Sequence, residues 1–529
     1  MSHGRAGGED DPAETVLERE IKFRLPEGRD AGTVRAAIES AGFRLEAGRA
    51  LTHDDRYLDT DDWALHRAGV ALRVRSDGSR VRLEAKSVRS ASDEALQRTE
   101  WSQDAPDGDP PWSTLADGPV AALLWPLAGL HVLARLRVIA TVRNERETWR
   151  WLREDHPLGS MTVDRVLPGA AGRNGAAAAP GSYREVEIET LNGAAEALGA
   201  VRRAIEGGLG VAACAETKLE AALRAAGTAL PERDERAYAL TPGDRLVDVA
   251  HKTFGRHLTR LLWHEPGTRL GIDPDHLHDM RVASRRLRTM LEVLGEAIPV
   301  EAREAFARDL RWVGRALGRV RDLDVQLQRV AALRAESAEF ERAALEIFAR
   351  WLEIRRGRQR TRLLERLDSE RYAAFVAEAR AWVEAPPPAG APGSAAVAPA
   401  YHTGQRLTSA RGRELHEAYA SAERSLAPED LHAVRIAAKK LRYTVEYFAD
   451  LTGPGSARRA KRLARFQDFL GERQDTATLL RRLKQYARTI PHGDRELALG
   501  AGSALGHLGR LAHTKRGDLR RAWEDLGEE

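Results

Sequence analysis

The stretch Glu18-Arg19-Glu20-Ile21-Lys22 carries two carboxylates and an ammonium at alternate positions. In a β-strand, alternate side chains point to the same face, so Glu18, Glu20 and Lys22 share one face while Arg19 and Ile21 point to the other. A solvated face accepts such charges, but an enclosed face needs an ion to neutralise it. The fold therefore depends on whether the chain closes this face.

Later segments repeat the alternation. Charged residues stand two positions apart at Arg73 and Arg75, at Glu84 and Lys86, at Arg98 and Glu100, and at Glu185, Glu187 and Glu189. The intervening positions are mostly apolar, namely Leu72, Val74, Leu83, Ala85, Val186 and Ile188. A single strand of this kind is usually a solvated face. Their combination favours charged faces that line an interior and apolar faces that pack outward against helices.

The first part of the chain reads as short strands interrupted by helices. The candidate strands are Thr15 to Leu25, Thr52 to Asp59, Ala71 to Ser76, Ser79 to Val88, Leu96 to Gln103, Arg137 to Thr141, Arg146 to Arg153, Ser160 to Leu167 and Tyr183 to Thr190. Helical patterns cover Ala31 to Ala41, Pro119 to Leu127 and Gly193 to Ala225, and the Ala/Gly-rich run Pro168 to Gly181 reads as a flexible hairpin. We expect an α+β domain built on an antiparallel sheet or barrel.

Bulk properties indicate a soluble protein. The 529 residues include 31% charged residues, yet the formal net charge is only +4, so any strong basic field must be local. The single cysteine, Cys214, excludes an internal disulfide and a cysteine-rich metal site. The polar N-terminus does not read as a signal peptide, and no apolar run approaches a membrane span. We expect a cytoplasmic location without membrane contact; the oligomeric state stays open.

Beyond a charged linker at 226–242 the pattern is helical and repeats itself. His278-Asp-Met-Arg281-Val-Ala-Ser-Arg285-Arg286-Leu-Arg288 matches His432-Ala-Val-Arg435-Ile-Ala-Ala-Lys439-Lys440-Leu-Arg442 at an offset of 154. A second pair, Leu317-Gly318-Arg-Val-Arg-Asp322 and Leu470-Gly471-Glu-Arg-Gln-Asp475, follows at an offset of 153. A Pro/Ala/Gly linker at 386–401 separates the copies. We therefore expect two duplicated helical bundles, at 243–385 and 402–529, related by a pseudo-twofold axis.

An interior that holds several acids and many bases suits a metal-bound polyanion. Glu18, Glu20 and one of Glu187 or Glu189 would hold Mg²⁺ or Mn²⁺ through oxygen, and the bases would neutralise phosphate. With Tyr57-Leu-Asp-Thr60, Arg146-x-x-Trp149, Val163-Asp164 and Lys218 added to these charges, residues 14–225 resemble the CYTH domain of triphosphate tunnel metalloenzymes. The resemblance implies an eight-stranded antiparallel tunnel that hydrolyses inorganic, nucleoside or thiamine triphosphates, or cyclises ATP.

The resemblance assigns roles to individual residues. The implied metal ligands are Glu18, Glu20, Glu187, Glu189 and Asp164; the implied triphosphate-binding residues are Lys22, Arg73, Arg75, Lys86, Arg98, Arg146 and Lys218; and Glu18, Glu20, Lys22, Lys86 and Arg146 are the expected catalytic set. Family members often carry a base where Asn144 stands, which leaves the preferred chain length of the substrate open.

In the helical region, steps of 3, 7 and 10 residues bring His278, Arg281, Arg285 and Arg288 to one face, and the second copy repeats this stripe. A basic helix face is usually only solvated, but recurrence weakens that interpretation. Residues 243–529 resemble the CHAD domain, which implies two four-helix bundles that bind inorganic polyphosphate. The implied polyphosphate-binding residues are His278, Arg281, Arg285, Arg286, Arg288, His432, Arg435, Lys439, Lys440 and Arg442.

We expect a metal-dependent inorganic triphosphatase whose helical domain captures polyphosphate, and which could associate with polyphosphate granules. Three alternatives stay open at this point: a non-catalytic polyphosphate-binding protein, a nucleoside or thiamine triphosphatase, and an adenylate cyclase. Nucleic acid is a disfavoured ligand of the basic stripes.

Overall fold

The computed structural model describes residues 15–87, 96–105, 115, 117–169, 181–190, 195–390, 393–511 and 516–527, without the side chains of 15–18, 96–98 and 195. The predicted hairpin at 168–181 falls mostly outside these residues. The chain forms two compact units, one of Met1–Glu232 with Pro266–Asp273 and one of Arg233–Glu265 with Pro274–Glu529.

Eight antiparallel strands of the first unit close into a barrel in the order β1-β5-β4-β3-β2-β6-β7-β8. The strands are β1 (Thr15–Leu25), β2 (Arg44–Asp59), β3 (Val70–Ser76), β4 (Val81–Ser87), β5 (Leu96–Asp104), β6 (Arg137–Arg153), β7 (His156–Gly169) and β8 (Tyr183–Thr190). Closure leaves no unpaired sheet edge and separates an inner from an outer face on every strand. The predicted eight-stranded antiparallel tunnel is confirmed.

Two of the predicted strands are one. The segments predicted at Arg137–Thr141 and Arg146–Arg153 form the single strand β6. The polar residues between them suggested a break, but Asn144 is fully buried and keeps the alternation, paired with His53 of β2 and Val166 of β7. Burial in the barrel, which local polarity does not reveal, decides this point.

Helices cover the outer face of the barrel. The first unit contains α1 (Ala31–Ser40), α2 (Ala64–Arg67), α3 (Pro119–Leu124), α4 (Ala195–Leu209) and α5 (Lys218–Ala225). Val186 and Ile188 of β8 are buried against α1 and α4, whereas Leu72 and Leu83 are buried against α2 and α3. The predicted outward packing of the apolar faces is therefore confirmed.

The pattern predicted as helical over Gly193–Ala225 forms two helices. Gly210 follows α4 with φ +66°, a left-handed conformation that commonly ends a helix. The next helix, α5, starts after Thr217 in a capping box: the Thr217 hydroxyl accepts from the Glu220 amide, and the Glu220 carboxylate accepts from the Thr217 amide. Leu219 and Leu223 of α5 are buried against Val142 of β6, which shares the inward face with Arg146. Helix α5 thus closes part of the barrel interior.

The second unit is helical, as predicted. Its helices are α6 (Leu246–Leu270), α7 (Pro274–Val293), α8 (Val300–Glu336), α9 (Glu339–Leu367), α10 (Glu370–Glu384), α11 (Ala400–Ser425), α12 (Pro428–Tyr447), α13 (Ala449–Thr452), α14 (Pro454–Ala487), α15 (Arg495–Leu511) and α16 (Arg516–Leu526). Helices α6, α7 and α8 each begin 154 residues before α11, α12 and α14, the offset of the sequence repeat. None of the helices in the described part of the chain combines the length and hydrophobicity needed to cross a membrane.

Each half contributes most of one bundle core. Helices α6, α7, α8 and α10, with the end of α9, form the first core, against which Tyr443 and Tyr447 of α12 are also buried. Helices α11, α12, α14 and α16 form the second core. A third core joins the halves, because the later parts of the long helices α8 and α14 pack together with α9 and α15. Apolar residues of the two repeated helices, which include Met280 and Leu287 on α7 and Val434 and Leu441 on α12, are buried in these cores.

Two ion pairs relate α7 and α12 reciprocally. Arg286 lies 2.6 Å from Glu446, and Lys440 lies 3.8 Å from Glu292. Residues 286 and 292 precede 440 and 446 by 154, so the same two positions meet across the halves in both directions. Such an exchange of partners is the signature of a twofold relation.

Candidate functional site

The barrel encloses a charged cavity of about 190 Å³, which is room for many water-sized groups, because one water needs roughly 10–15 Å³. The lining includes six of the seven predicted triphosphate-binding residues: Lys22, Arg73, Arg75, Lys86, Arg146 and Lys218. The lining carboxylates are Glu20, Glu84, Glu100, Glu187 and Glu189. Glu18 and the seventh base, Arg98, are paired in the β1–β5 register, but their side chains are not among those that the structure describes.

Three of the predicted metal ligands converge. One carboxylate oxygen from each of Glu20, Glu187 and Glu189 lies within 4.8 Å of the others, with Glu20 and Glu187 buried. The β1–β8 register causes this, since it pairs Glu20 directly with Glu189 and Lys22 with Glu187. Three hard oxygen donors in a partly desolvated site fit Mg²⁺ or Mn²⁺.

Asp164, the fifth predicted ligand, belongs to an inner acidic cluster with Glu185 and Glu187. The Lys218 ammonium lies 2.8 Å from Asp164, 2.7 Å from Glu185 and 2.8 Å from Glu187. Burial opposes the charged form of Lys218, but the carboxylates of Glu185 and Glu187 raise its pKa well above the ordinary value. Lys218 is therefore charged at neutral pH.

Lys22 and Arg146 complete this wall. Lys22 Nζ lies 3.1 Å from Glu187, and Arg146 donates to Asp164 at 2.7 and 2.8 Å and to Glu187 at 2.8 Å. Burial raises the pKa of Glu187, but Lys218, Lys22 and Arg146 outweigh it and hold that pKa well below the usual range. Glu187 is accordingly ionised at neutral pH.

The opposite wall depends on two acids that the sequence interpretation did not assign. Asp55 accepts two 2.8 Å hydrogen bonds from Arg75, and Glu84 accepts hydrogen bonds of 2.7 and 2.9 Å from Arg73. Against the effect of burial, Arg73 and Arg75 lower the pKa of Glu84 to about 2. Asp55 alternates with Tyr57 on β2, and this spacing was the available signal for an inward acid. Lys86 pairs with Glu100 on the neighbouring strand.

Asn144 and His53 were not assigned roles either. Both lie on paired inward positions, and neither amide atom of Asn144 nor Nδ1 of His53 has a hydrogen-bond partner among the described residues. Burial, with Arg75 and Arg146 nearby, lowers the pKa of His53 to about 4, so this ring is neutral at neutral pH.

In the helical unit, the repeated Leu-Gly motif lies next to the repeated basic motif. A Cβ at Gly318 of α8 would lie 3.5 Å from Arg281 Nε, and a Cβ at Gly471 of α14 would lie 3.6 Å from Arg435 Nη1. Both distances are ordinary van der Waals contacts, so the glycines mark equivalent places where α8 and α14 approach the arginine of the paired helix. Arg281 also lies 3.6 Å from Asp322.

Cations of both halves meet between α7 and α12. No carboxylate forms an ion pair with Arg285 or Lys439 in the described part of the chain. Burial and the nearby Arg285 lower the pKa of Lys439 to about 8, and burial lowers the pKa of Arg285 and Arg288. Such mutual repulsion is reduced when an anion binds.

The remaining predicted residues of this unit have other surroundings. Arg286 and Lys440 form the reciprocal ion pairs, and Arg442 lies 3.4 Å from Glu446. Arg286 and Arg442 also stack near the Tyr443 ring, with 4.9 and 5.1 Å between guanidinium carbon and ring centroid. His278 is half-buried and His432 is exposed, and each begins its stripe. Polyphosphate binding by these residues stays a prediction.

Comparison with known proteins agrees with this description. Family models match residues 17–215 as a CYTH domain and residues 252–484 as a CHAD domain. No curated protein matches the sequence.

Solved structures match one part of the chain at a time. The CHAD domain from the plant Ricinus communis shares 24% identity and covers 55% of this chain and 95% of its own, with a TM-score of 0.46. PptA from Streptomyces chartreusis shares 18%, covers 53% and 100%, and has a TM-score of 0.44. A Hippeastrum protein, named as an adenylyl cyclase with a dominant triphosphatase activity, shares 17%, covers 40% and 98%, and has a TM-score of 0.26.

A closed antiparallel barrel with an interior of acids and bases, matched by the CYTH model, defines a member of the triphosphate-tunnel class, whose members act as triphosphatases or cyclases and use divalent metals. The chain is a fusion of a CYTH domain and a CHAD domain.

Proposed function

We propose that the barrel hydrolyses inorganic triphosphate with Mg²⁺ or Mn²⁺ and that the helical unit binds polyphosphate. The observation that carries the first part is the enclosure of six bases around the Glu20, Glu187 and Glu189 carboxylates. Bases on all sides suit a ligand with charge on every phosphoryl group, and the acid trio suits a divalent cation.

The lining supports hydrolysis by water. Its described residues include neither cysteine nor histidine. Thr217 Oγ1 accepts from the Glu220 amide and Ser87 Oγ accepts from the Thr99 amide, and among the described residues neither hydroxyl donates a hydrogen bond to a base that could activate it. Phosphoryl transfer needs mainly positioning and charge neutralisation, which this lining provides.

The lining residues have different roles according to their position in the barrel. Glu20, Glu187 and Glu189 would hold the cation, which supplies Lewis-acid stabilisation of phosphoryl oxygens when bound. Arg73 and Arg75 on one wall, and Lys22 and Arg146 on the other, bind the phosphoryl groups from opposite sides. In the structure these four bases pair with carboxylates. Substrate oxygens therefore replace carboxylate oxygens when the triphosphate enters.

Polyphosphate binding is supported by the cations that converge between α7 and α12. Arg285, Arg435 and Lys439 come from both halves and lie within electrostatic range of one another. Bases on rigid helices can follow a repeating phosphate chain without reading a sequence.

Phosphate release by the full chain from triphosphate, pyrophosphate, ATP and thiamine triphosphate tests the enzymatic part, each with Mg²⁺, Mn²⁺ or EDTA. We expect release from triphosphate that requires the metal. Phosphate release only from thiamine triphosphate or ATP, or formation of cyclic AMP, would mean that the substrate assignment is wrong. Absence of metal-dependent turnover of every substrate would refute the proposal that the barrel is an enzyme.

A further inference from the structure

The Lys218 side chain occupies the centre of the inner acidic cluster. An ammonium group has three N–H donors, and Asp164, Glu185 and Glu187 each place one oxygen at 2.7–2.8 Å from Nζ. Lys218 donates a 2.8 Å hydrogen bond to Glu187 and forms close ion pairs with Asp164 and Glu185.

The same three carboxylates have the spacing of a cation site. Each offers one oxygen within 4.8 Å of the others, and all three residues are buried. The outer trio of Glu20, Glu187 and Glu189 has the same spacing, and Glu187 belongs to both. The barrel therefore offers two adjacent acidic clusters, and the chain's own ammonium occupies one of them.

Formal charges on this wall leave room for one divalent cation. The five carboxylates of the two clusters carry −5, and Lys22, Arg146 and Lys218 carry +3, which leaves −2. On the opposite wall Asp55 and Glu84 balance Arg73 and Arg75, and Glu100 balances Lys86. A single divalent ion thus neutralises the interior, and a second would leave it positive.

Local structure holds Lys218 in place. It is the first residue of α5, directly after the Thr217 capping box, and its side chain is 5% exposed. Leu219 and Leu223 anchor the helix in the core below it. The ammonium is therefore delivered by a packed element rather than by a loop.

We infer that Lys218 acts as a built-in cation that closes the inner cluster to metal, so that the ligand-free barrel binds one divalent ion, at Glu20, Glu187 and Glu189. The inference rests on the metal site of the proposed function and adds its stoichiometry. The ammonium group of Lys218 provides the inner cluster with the positive charge that a second metal ion would otherwise provide.

Titration of the full chain with Mn²⁺ alone, with free Mn²⁺ followed by its electron paramagnetic resonance signal, tests the inference. The number of Mn²⁺ ions bound in the barrel is the number bound by a protein minus the number bound by the Glu20→Gln, Glu189→Gln double variant. We expect one barrel ion for the wild type and two for Lys218→Met. Lys86→Met, which removes a lining ammonium that pairs with Glu100, is the matched control, and we expect it to bind one.

A wild-type count of two, or an unchanged count of one in folded Lys218→Met, would overturn the inference. If Lys218→Met folds only with Mn²⁺ present, recovery of its thermal unfolding transition by Mn²⁺ supports the inference. If it folds under neither condition, the wild-type count decides. Phosphate release is a separate readout: absence of turnover with one bound ion would refute the proposed reaction and leave the assignment of Lys218 standing.

Discussion

At the scale of single residues, most charged side chains of the barrel interior contact a partner of the other sign. Glu187 shows this most clearly, since it contacts Lys22, Arg146 and Lys218 and still contributes an oxygen to the outer trio. Alternation along one strand provides the charges, and the register between strands decides which of them meet.

Glu20→Gln should abolish most metal-dependent triphosphate hydrolysis. An amide keeps the shape of the side chain but removes the negative charge that a hard cation needs. We expect a loss of about 10²-fold or more in kcat/KM, the order found when one charge-stabilising group is removed. Phosphate release with Mn²⁺ measures it. The exposed Glu27→Gln is the control, and equal rates in both variants would contradict the site.

Long-chain polyphosphate affinity should fall as pH rises through about 8. Burial and Arg285 lower the pKa of Lys439 to about 8, and a bound polyanion would raise it again. Above pH 8, binding of polyphosphate is therefore coupled to protonation of Lys439. The contribution of Lys439 to affinity is complete below pH 8 and is lost above it. For one proton, the affinity falls by at most about tenfold per pH unit. Affinity measured from pH 6.5 to 9.5 tests this, and Lys439→Arg should flatten the profile. The same slope in both proteins would exclude Lys439.

At the scale of elements, a short helix positions Lys218 in the barrel, and reciprocal contacts join the two halves of the helical unit. Helix α5 brings Lys218 into the barrel because Gly210 ends α4 and Thr217 begins the next helix. The α7–α12 contact uses the same two positions from each half, so Arg286 and Lys440 both form ion pairs between the halves.

Glu446→Gln should destabilise the helical unit by about 1 kcal/mol, the upper range for a partly exposed ion pair. Glu446 lies 2.6 Å from Arg286 and 3.4 Å from Arg442, so one substitution weakens two pairs. Denaturant unfolding of the full chain measures the change. Glu292→Gln is the matched control at the equivalent position, because Glu292 is half exposed and 3.8 Å from Lys440, and it should cost less. A larger loss for Glu292→Gln would contradict this assignment.

At the scale of the whole molecule, two charged sites of different design share one chain. The barrel balances acids against bases within an enclosed cavity, whereas the helical unit brings cations from two repeats together without equal numbers of acids beside them. The first arrangement suits a small anion with a metal, and the second suits a long anion that can leave an open surface.

Arg281→Ala combined with Arg435→Ala should weaken binding of long-chain polyphosphate by about tenfold or more, because two phosphate contacts are lost at equivalent positions. Fluorescence anisotropy at several salt concentrations measures it. Arg350→Ala with Arg458→Ala removes the same net charge from exposed positions of the same unit and is the control. Equal losses of affinity in the two double variants would mean that general electrostatic attraction, rather than contacts at Arg281 and Arg435, accounts for binding.

The sequence by itself determined the periodicities and therefore most of the architecture. Period-two charges predicted the strands, and the 154-residue repeat predicted the duplicated helices. Six of the predicted triphosphate-binding bases line the cavity, because a closed barrel must turn one face of every strand inward.

Tertiary structure decided what periodicity cannot. Asp55, Glu84 and Glu185 acquire their roles only through cross-strand register, and the two predicted segments of β6 join because burial makes Asn144 part of a strand. Local patterns report which face a side chain is on, but a site requires distances between residues far apart in the chain. Closure of the barrel and docking of α5 set those distances, and they place the Lys218 ammonium among three carboxylates.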